Sequence, residues 1–250
     1  MTIRRLISIT SVLGGLCVSA AVAAAAPWQA EFETGTVSSG YNDIRIPGAT
    51  GTEISFVDDL NTDSRYFLRL RLTHRFNRRH SLSVLIAPLS LKAAGSIAEP
   101  VLFAGVEFPA GAELEGTYRF DSYRLTYGYT FYPTNALTAT LGLTAKIRDA
   151  AVRLESATLS SEKTNTGFVP LLYGRLLWTP RQSASVLVEA DALAAPQGRA
   201  EDALFAFQYA LNPTVSLRFG YRILEGGADN DEVYSFTLLN YVVAGLVLNL

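Results

Sequence analysis

The chain has 250 residues, 49% of them hydrophobic and 18% charged, with 21 Lys and Arg set against 23 Asp and Glu. This near-neutral balance excludes a nucleic-acid-binding surface. One cysteine (Cys17) and two histidines (His74 and His80) exclude a disulfide framework and leave little for a zinc site. The apolar total is high, yet no apolar run long enough to span a bilayer as a helix follows the N-terminal segment, so the apolar residues must alternate with polar ones.

Arg4 and Arg5, an apolar stretch over 6–20 and an alanine run over 21–26 predict a secretory signal peptide over residues 1–25. Its removal takes Cys17 and two basic residues, leaving 19 basic against 23 acidic side chains in a single domain over 27–250. A first strand is predicted over 28–37, with Trp28, Ala30 and Phe32 opposing Glu31 and Glu33. Residues 38–63, rich in Gly, Asn, Asp and Pro, read as a long loop. The second strand, 65–76, sets Tyr66, Leu68, Leu70 and Leu72 against Phe67, Arg69 and Arg71. A short turn at 77–80 leads to a third strand that carries Leu82, Val84 and Ile86 and ends near Lys92. A second long loop is expected over 93–115, with a short strand at 101–108.

The strongest alternation lies in 122–147. Tyr123, Leu125, Tyr127, Tyr129 and Phe131 share one face, opposite Ser122, Arg124, Thr126, Gly128 and Thr130. After Pro133-Thr134-Asn135, Leu137, Ala139, Leu141, Leu143, Ala145 and Ile147 oppose Thr138, Thr140, Thr144, Lys146 and Arg148. A hairpin of two such strands suits segments of about 9–11 residues crossing a bilayer at a tilt, apolar face to lipid. A loop over 155–166, strands over 168–178 and 184–193, a loop over 194–202, strands over 205–211 and 215–223, a loop over 225–232 and a final strand complete the chain.

Connections thus alternate long and short, and the strand count comes to about ten. Aromatics gather near the turns (Phe76, Phe131, Tyr132, Trp178, Tyr209) and again toward the loops (Tyr66, Tyr123, Phe168, Phe205). Two girdles bracketing an aliphatic band match a membrane with two interfaces. The predicted fold is all-β: an antiparallel up-and-down transmembrane β-barrel with short periplasmic turns and longer extracellular loops. The alternating strands, leader and girdles resemble the broad class of small bacterial outer-membrane β-barrel proteins. That resemblance implies residence in the outer membrane of a Gram-negative bacterium. It also implies lipid, lipopolysaccharide and the outer-membrane assembly machinery as partners, with no cofactor, no metal and a monomer favoured.

Function is sought in the lumen and at the rim. Arg69, Arg71, Arg124, Lys146, Arg148, Arg175, Arg218 and Arg222 point inward, countered by Glu31, Glu33, Glu189 and Asp191. Charges inside a narrow barrel are costly unless paired or wet. They form either an ionic plug, the reading preferred here, or a narrow anion-preferring path. Rim candidates are Arg199, Glu201, Asp202, Glu225 and Asp229, with Arg199 expected to meet Glu225 or Asp202. Both histidines fall at the turn side, away from the loop rim, so no catalytic residue is assigned. The sequence therefore predicts a non-enzymatic barrel, structural or a largely plugged channel. An outer-leaflet lipid or lipopolysaccharide enzyme and a narrow anion pore are the alternatives.

Overall fold

The computed structural model describes residues 27–196 and 198–250; the predicted signal peptide lies outside them. In chain order the first strands are β1 (Trp28–Arg45), the short β2 (Glu53–Ser55) and β3 (Asn61–Thr62), and β4 (Arg65–Arg75). β5 (His80–Ala87) and β6 (Ser90–Ser96) follow, then a small hairpin of β7 (Val101–Phe103) and β8 (Val106–Phe108). The rest are β9 (Glu113–Pro133), β10 (Leu137–Glu155), β11 (Ser160–Arg181), β12 (Ala184–Ala195), β13 (Gly198–Ala210), β14 (Val215–Asp229) and β15 (Tyr234–Asn249). β5 and β6 both pair with β9 and act as one wall strand, broken at Pro88-Leu89 where proline removes a ladder donor. The wall is antiparallel, runs in sequence order and has ten strands. β1 closes it, pairing with β4 on one side and with β15 on the other, from Gln29↔Asn249 to Arg45↔Tyr234.

At one end the connections are tight. Asn77 Oδ1 accepts the backbone N–H groups of Arg79 and His80, and Asn212 Oδ1 accepts those of Thr214 and Val215. At the other end the strands extend well past the apolar band. Much of what reads as loop over 38–63, 155–166, 194–202 and 225–232 is therefore strand. β1 runs on to Arg45, β10 and β11 leave only 156–159 between them, β13 starts at Gly198, and β14 continues to Asp229. These extensions lie beyond the apolar band, so their composition is polar and loop-like, and neighbouring strands supply the ladder instead. The short strand expected at 101–108 is the β7–β8 hairpin.

The outward face is the apolar one. Leu141, Leu143, Leu172 and Val242 are each more than 60% exposed, whereas Thr140 and Thr144 across the wall are buried. Trp28, Phe76, Phe131, Trp178 and Tyr209 ring the turn end, and Tyr66, Tyr123, Phe168 and Tyr221 lie toward the loop end; all are exposed. Large apolar side chains on the outside cannot belong to a water-soluble barrel, but they match a wall bathed in lipid.

The interior has two layers. Toward the turn end it is charged. Toward the loop end it is apolar, because Ile44, Ile54, Phe56, Leu60, Phe103 and Phe108 fold inward as a cap. A register shift between Ser39 and Tyr41 makes this possible. Below it Glu31, Glu33 and Val37 face in at odd positions; above it Asn42 and Ile44 face in at even ones. One extra residue swaps the faces of a strand.

Candidate functional site

The site is the charged layer. Six guanidiniums (Arg69, Arg71, Arg124, Arg175, Arg218 and Arg222) meet five carboxylates (Glu31, Glu33, Glu189, Asp191 and Asp202). They come from β1, β4, β9, β11, β12, β13 and β14, each at an inward position of its strand's alternation. All but Arg175 are nearly fully buried, and Arg175 is mostly so.

Each carboxylate is held from more than one side. Asp202 accepts Arg69 Nη2 at 2.9 Å and Arg124 Nη2 at 2.6 Å, and also pairs with Arg222. Glu33 meets Arg218 at 2.7 Å, Arg222 at 2.8 Å and, more loosely, Arg69 at 3.6 Å. Glu31 lies between Arg175 at 2.9 Å and Arg218 at 3.1 Å. Glu189 takes Arg71 at 2.8 Å, Arg175 at 3.1 Å and the Tyr173 hydroxyl at 3.1 Å. Asp191 takes Arg124 at 2.7 Å and the Thr144 hydroxyl at 2.6 Å. A buried pair repays its desolvation only when its remaining lone pairs and protons are also satisfied; shared carboxylates achieve most of that here and leave the Nε groups of Arg69 and Arg222 buried without a partner.

The layer leaves almost no space. A void enclosed by Glu31, Glu33, Arg69, Arg71, Leu85 and Arg222 measures about 10 Å³, roughly the room of one water.

One expected position is corrected, and two cations expected in the lumen lie there outside the ion-pair layer. Asp202 is not at the rim: it is buried at the centre of the charged layer, because β13 starts at Gly198 and places 202, 204 and 206 inward. Lys146 faces inward but forms no ion pair among the described residues; its ammonium lies over the Phe120 ring, 4.8 Å from the centroid. Arg148 stands above the layer, bonded to the Asn165 side chain, with its buried Nε unpartnered. On β10 both lie on the loop side of Thr144, whose hydroxyl donates to Asp191.

At the rim, Arg199 Nε donates to both Glu225 oxygens at 2.9 and 2.8 Å, and the Tyr41 hydroxyl also donates to Glu225. The Arg199 bonds hold the Glu225 carboxyl below its ordinary range. Arg199 also lies over the Phe236 ring at 5.0 Å. Glu201 and Asp229 are exposed and form no ion pair among the described residues. His74 packs on Trp28 with ring centroids 4.4 Å apart, and His80 Nδ1 lies 2.7 Å from the Tyr127 hydroxyl, both at the turn end.

No protein-family model matches the chain, and no curated protein matches it in sequence. Solved structures do match. The outer-membrane protease OmpT from Escherichia coli has a TM-score of 0.56 at 8% identity, covering 89% of this chain and 96% of its own. The translocator domain of the autotransporter NalP from Neisseria meningitidis has a TM-score of 0.47 at 12% identity, covering 90% and 88%. Ail, the attachment invasion locus protein of Yersinia pestis, has a TM-score of 0.40 at 8% identity, covering 88% and 98%. At such identities a likeness speaks for the fold alone. The closed ten-strand wall and its lipid-facing belt between aromatic girdles give this chain the outer-membrane β-barrel fold, which it shares with OmpT.

Proposed function

We propose that this protein is a non-enzymatic, monomeric barrel standing with its loop end outward, and that its lumen is sealed rather than conducting. The observation that carries the reading is the charged layer, in which every carboxylate is engaged and a void of about 10 Å³ remains among the side chains. Ten strands enclose more room than the eight-strand barrels that side chains just fill, and here long arginines take up the difference. The same layer speaks against a steady anion path, since each of its cations is already paired with a carboxylate. Against hydrolysis, both histidines sit at the turn end in aromatic contacts, remote from the acidic groups of the lumen and rim. Its surroundings on this reading are outer-membrane lipid, lipopolysaccharide and the assembly machinery.

Planar-bilayer recording tests the seal. The wild-type protein is expected to give no steady current, while Glu189→Gln combined with Asp191→Asn, which leaves Arg71, Arg124 and Arg175 short of partners, is expected to give a fluctuating one. A steady anion-selective wild-type current would overturn the seal. A changed lipid A or phospholipid composition in cells producing the protein would overturn the non-enzymatic assignment.

A further inference from the structure

Above the charged layer the wall is incomplete. β11 pairs with β10 along its whole length, from Leu137↔Trp178 to Glu155↔Ser160. With β12 it pairs only as far as Leu172↔Ala192. Beyond that point β12 turns back into β13 at Pro196, while β11 continues alone, so residues 160–171 present an unpaired edge. The gap starts at Leu172, 63% exposed on the lipid face, and rises past Phe168, 65% exposed in the loop-end girdle. It is therefore a side window at the level of the membrane interface.

Behind the window lies a cavity of about 370 Å³, inside the range of about 300–1,000 Å³ common for small-ligand sites. Its walls are mostly apolar, with Phe120, Val152, Phe168 and Leu193 among them. None of the residues of the charged layer lines it; the buried Tyr118, Lys146 and Leu224 do. Of the three acids that line it, Glu225 is held by Arg199 and Glu232 meets Lys163 at 3.4 Å across the gap, while Glu201 is exposed and unpaired among the described residues. Lys146 and Arg148 also line it, two inward cations on adjacent inward positions of β10 with no carboxylate partner among the described residues. A cation kept at membrane depth without a counter-ion is costly, and such residues commonly mark a ligand site.

We propose that this pocket binds a single-chain fatty carboxylate that enters through the side window, its chain against the apolar walls and its carboxylate on Lys146 and Arg148. Two unpaired cations call for one anionic head, and the cavity volume suits one chain rather than the two of a phospholipid. The window's position supplies the occupant from the lipid phase, and the loop-end-out orientation proposed above makes that phase the outer leaflet. The site itself does not depend on that orientation.

The test is titration of the full barrel in lipid nanodiscs with cis-parinaric acid, a fluorescent polyene carboxylate, against protein-free nanodiscs. Saturable binding is expected, at least 10-fold weaker for Lys146→Gln combined with Arg148→Gln. The methyl ester of the same chain is expected to make no distinction between the two proteins. Val152→Trp, which fills the cavity from an inward position of β10 four residues beyond Arg148, is expected to weaken binding to a similar degree. Retained heat-modifiable migration on SDS gels certifies that each variant is folded, and Val152→Trp carries the test if the double variant fails to fold. Equal affinity of wild type and variants would overturn the proposal, as would displacement by inorganic phosphate alone. Bilayer conductance is read separately, so a leaky lumen and an empty pocket are distinguishable failures.

Discussion

Asp202→Asn is the most informative single change. Asp202 is buried, and its two oxygens serve Arg69, Arg124 and Arg222 at once. The amide keeps the shape but removes the charge that three guanidiniums share. Each of the three retains another carboxylate: Glu33 for Arg69 and Arg222, and Asp191 for Arg124. The loss is therefore close to that of one broken buried pair rather than three, about 3–5 kcal/mol. The assay is urea unfolding of the refolded barrel in lipid vesicles, followed by the fluorescence of Trp28 and Trp178, both in the turn-end girdle. Arg69→Gln added to Asp202→Asn should restore part of the loss, because it removes one of the unpaired charges, and the two changes should be strongly non-additive. An unfolding free energy within about 1 kcal/mol of wild type for Asp202→Asn would refute the reasoning: a group that shows no cost when discharged is hydrated, not sealed.

Leu141→Arg, on the lipid face at 61% exposure, is expected to cost about 2–4 kcal/mol at mid-bilayer; the same unfolding assay checks it, with Leu141→Ala as the mild control. The rim pair predicts a pH dependence. Because Arg199 depresses the folded Glu225 carboxyl, its contribution is present above the ordinary carboxylate value and is lost as pH falls through the lower folded value. The difference in melting temperature between wild type and Glu225→Gln should therefore be small at neutral pH and vanish in acid, and a difference that grows in acid would contradict the pairing.

The faces of the wall were legible because a period of two is a direct consequence of the pleat, and the arginines fall on the polar side of it. Arg69, Arg71, Arg124, Arg175, Arg218 and Arg222 all lie where alternation puts them. Asp202 was legible in principle, since it shares parity with the inward Leu204 and Ala206; the turn-forming residues Pro196 and Gly198 beside it hid that signal. The apolar cap was not legible. Ile44, Ile54 and Phe56 sit among Gly, Asp and Asn, and the register shift after Ser39 resets the parity of β1 in a way that only its partner β15 reveals. The side window was equally hidden, because β11 is continuous in sequence and loses its partner only through the shortness of the β12–β13 hairpin.

The two carboxylates of β1 tie together opposite ends of the chain. Glu31 and Glu33 pair with Arg218 and Arg222, 187 and 189 positions away, across the seam where β1 meets β15. Until that seam zips, these four groups stand in a water-filled cleft, Arg218 lacks both of its carboxylates and Arg222 lacks one of two. Drying of the interior and joining of the two terminal strands are thus a single step in the maturation of the barrel. An assembly intermediate arrested with the seam open is wet, permeable and short of its electrostatic glue, and the last hydrogen bonds to form along β1 are the ones that make the protein watertight.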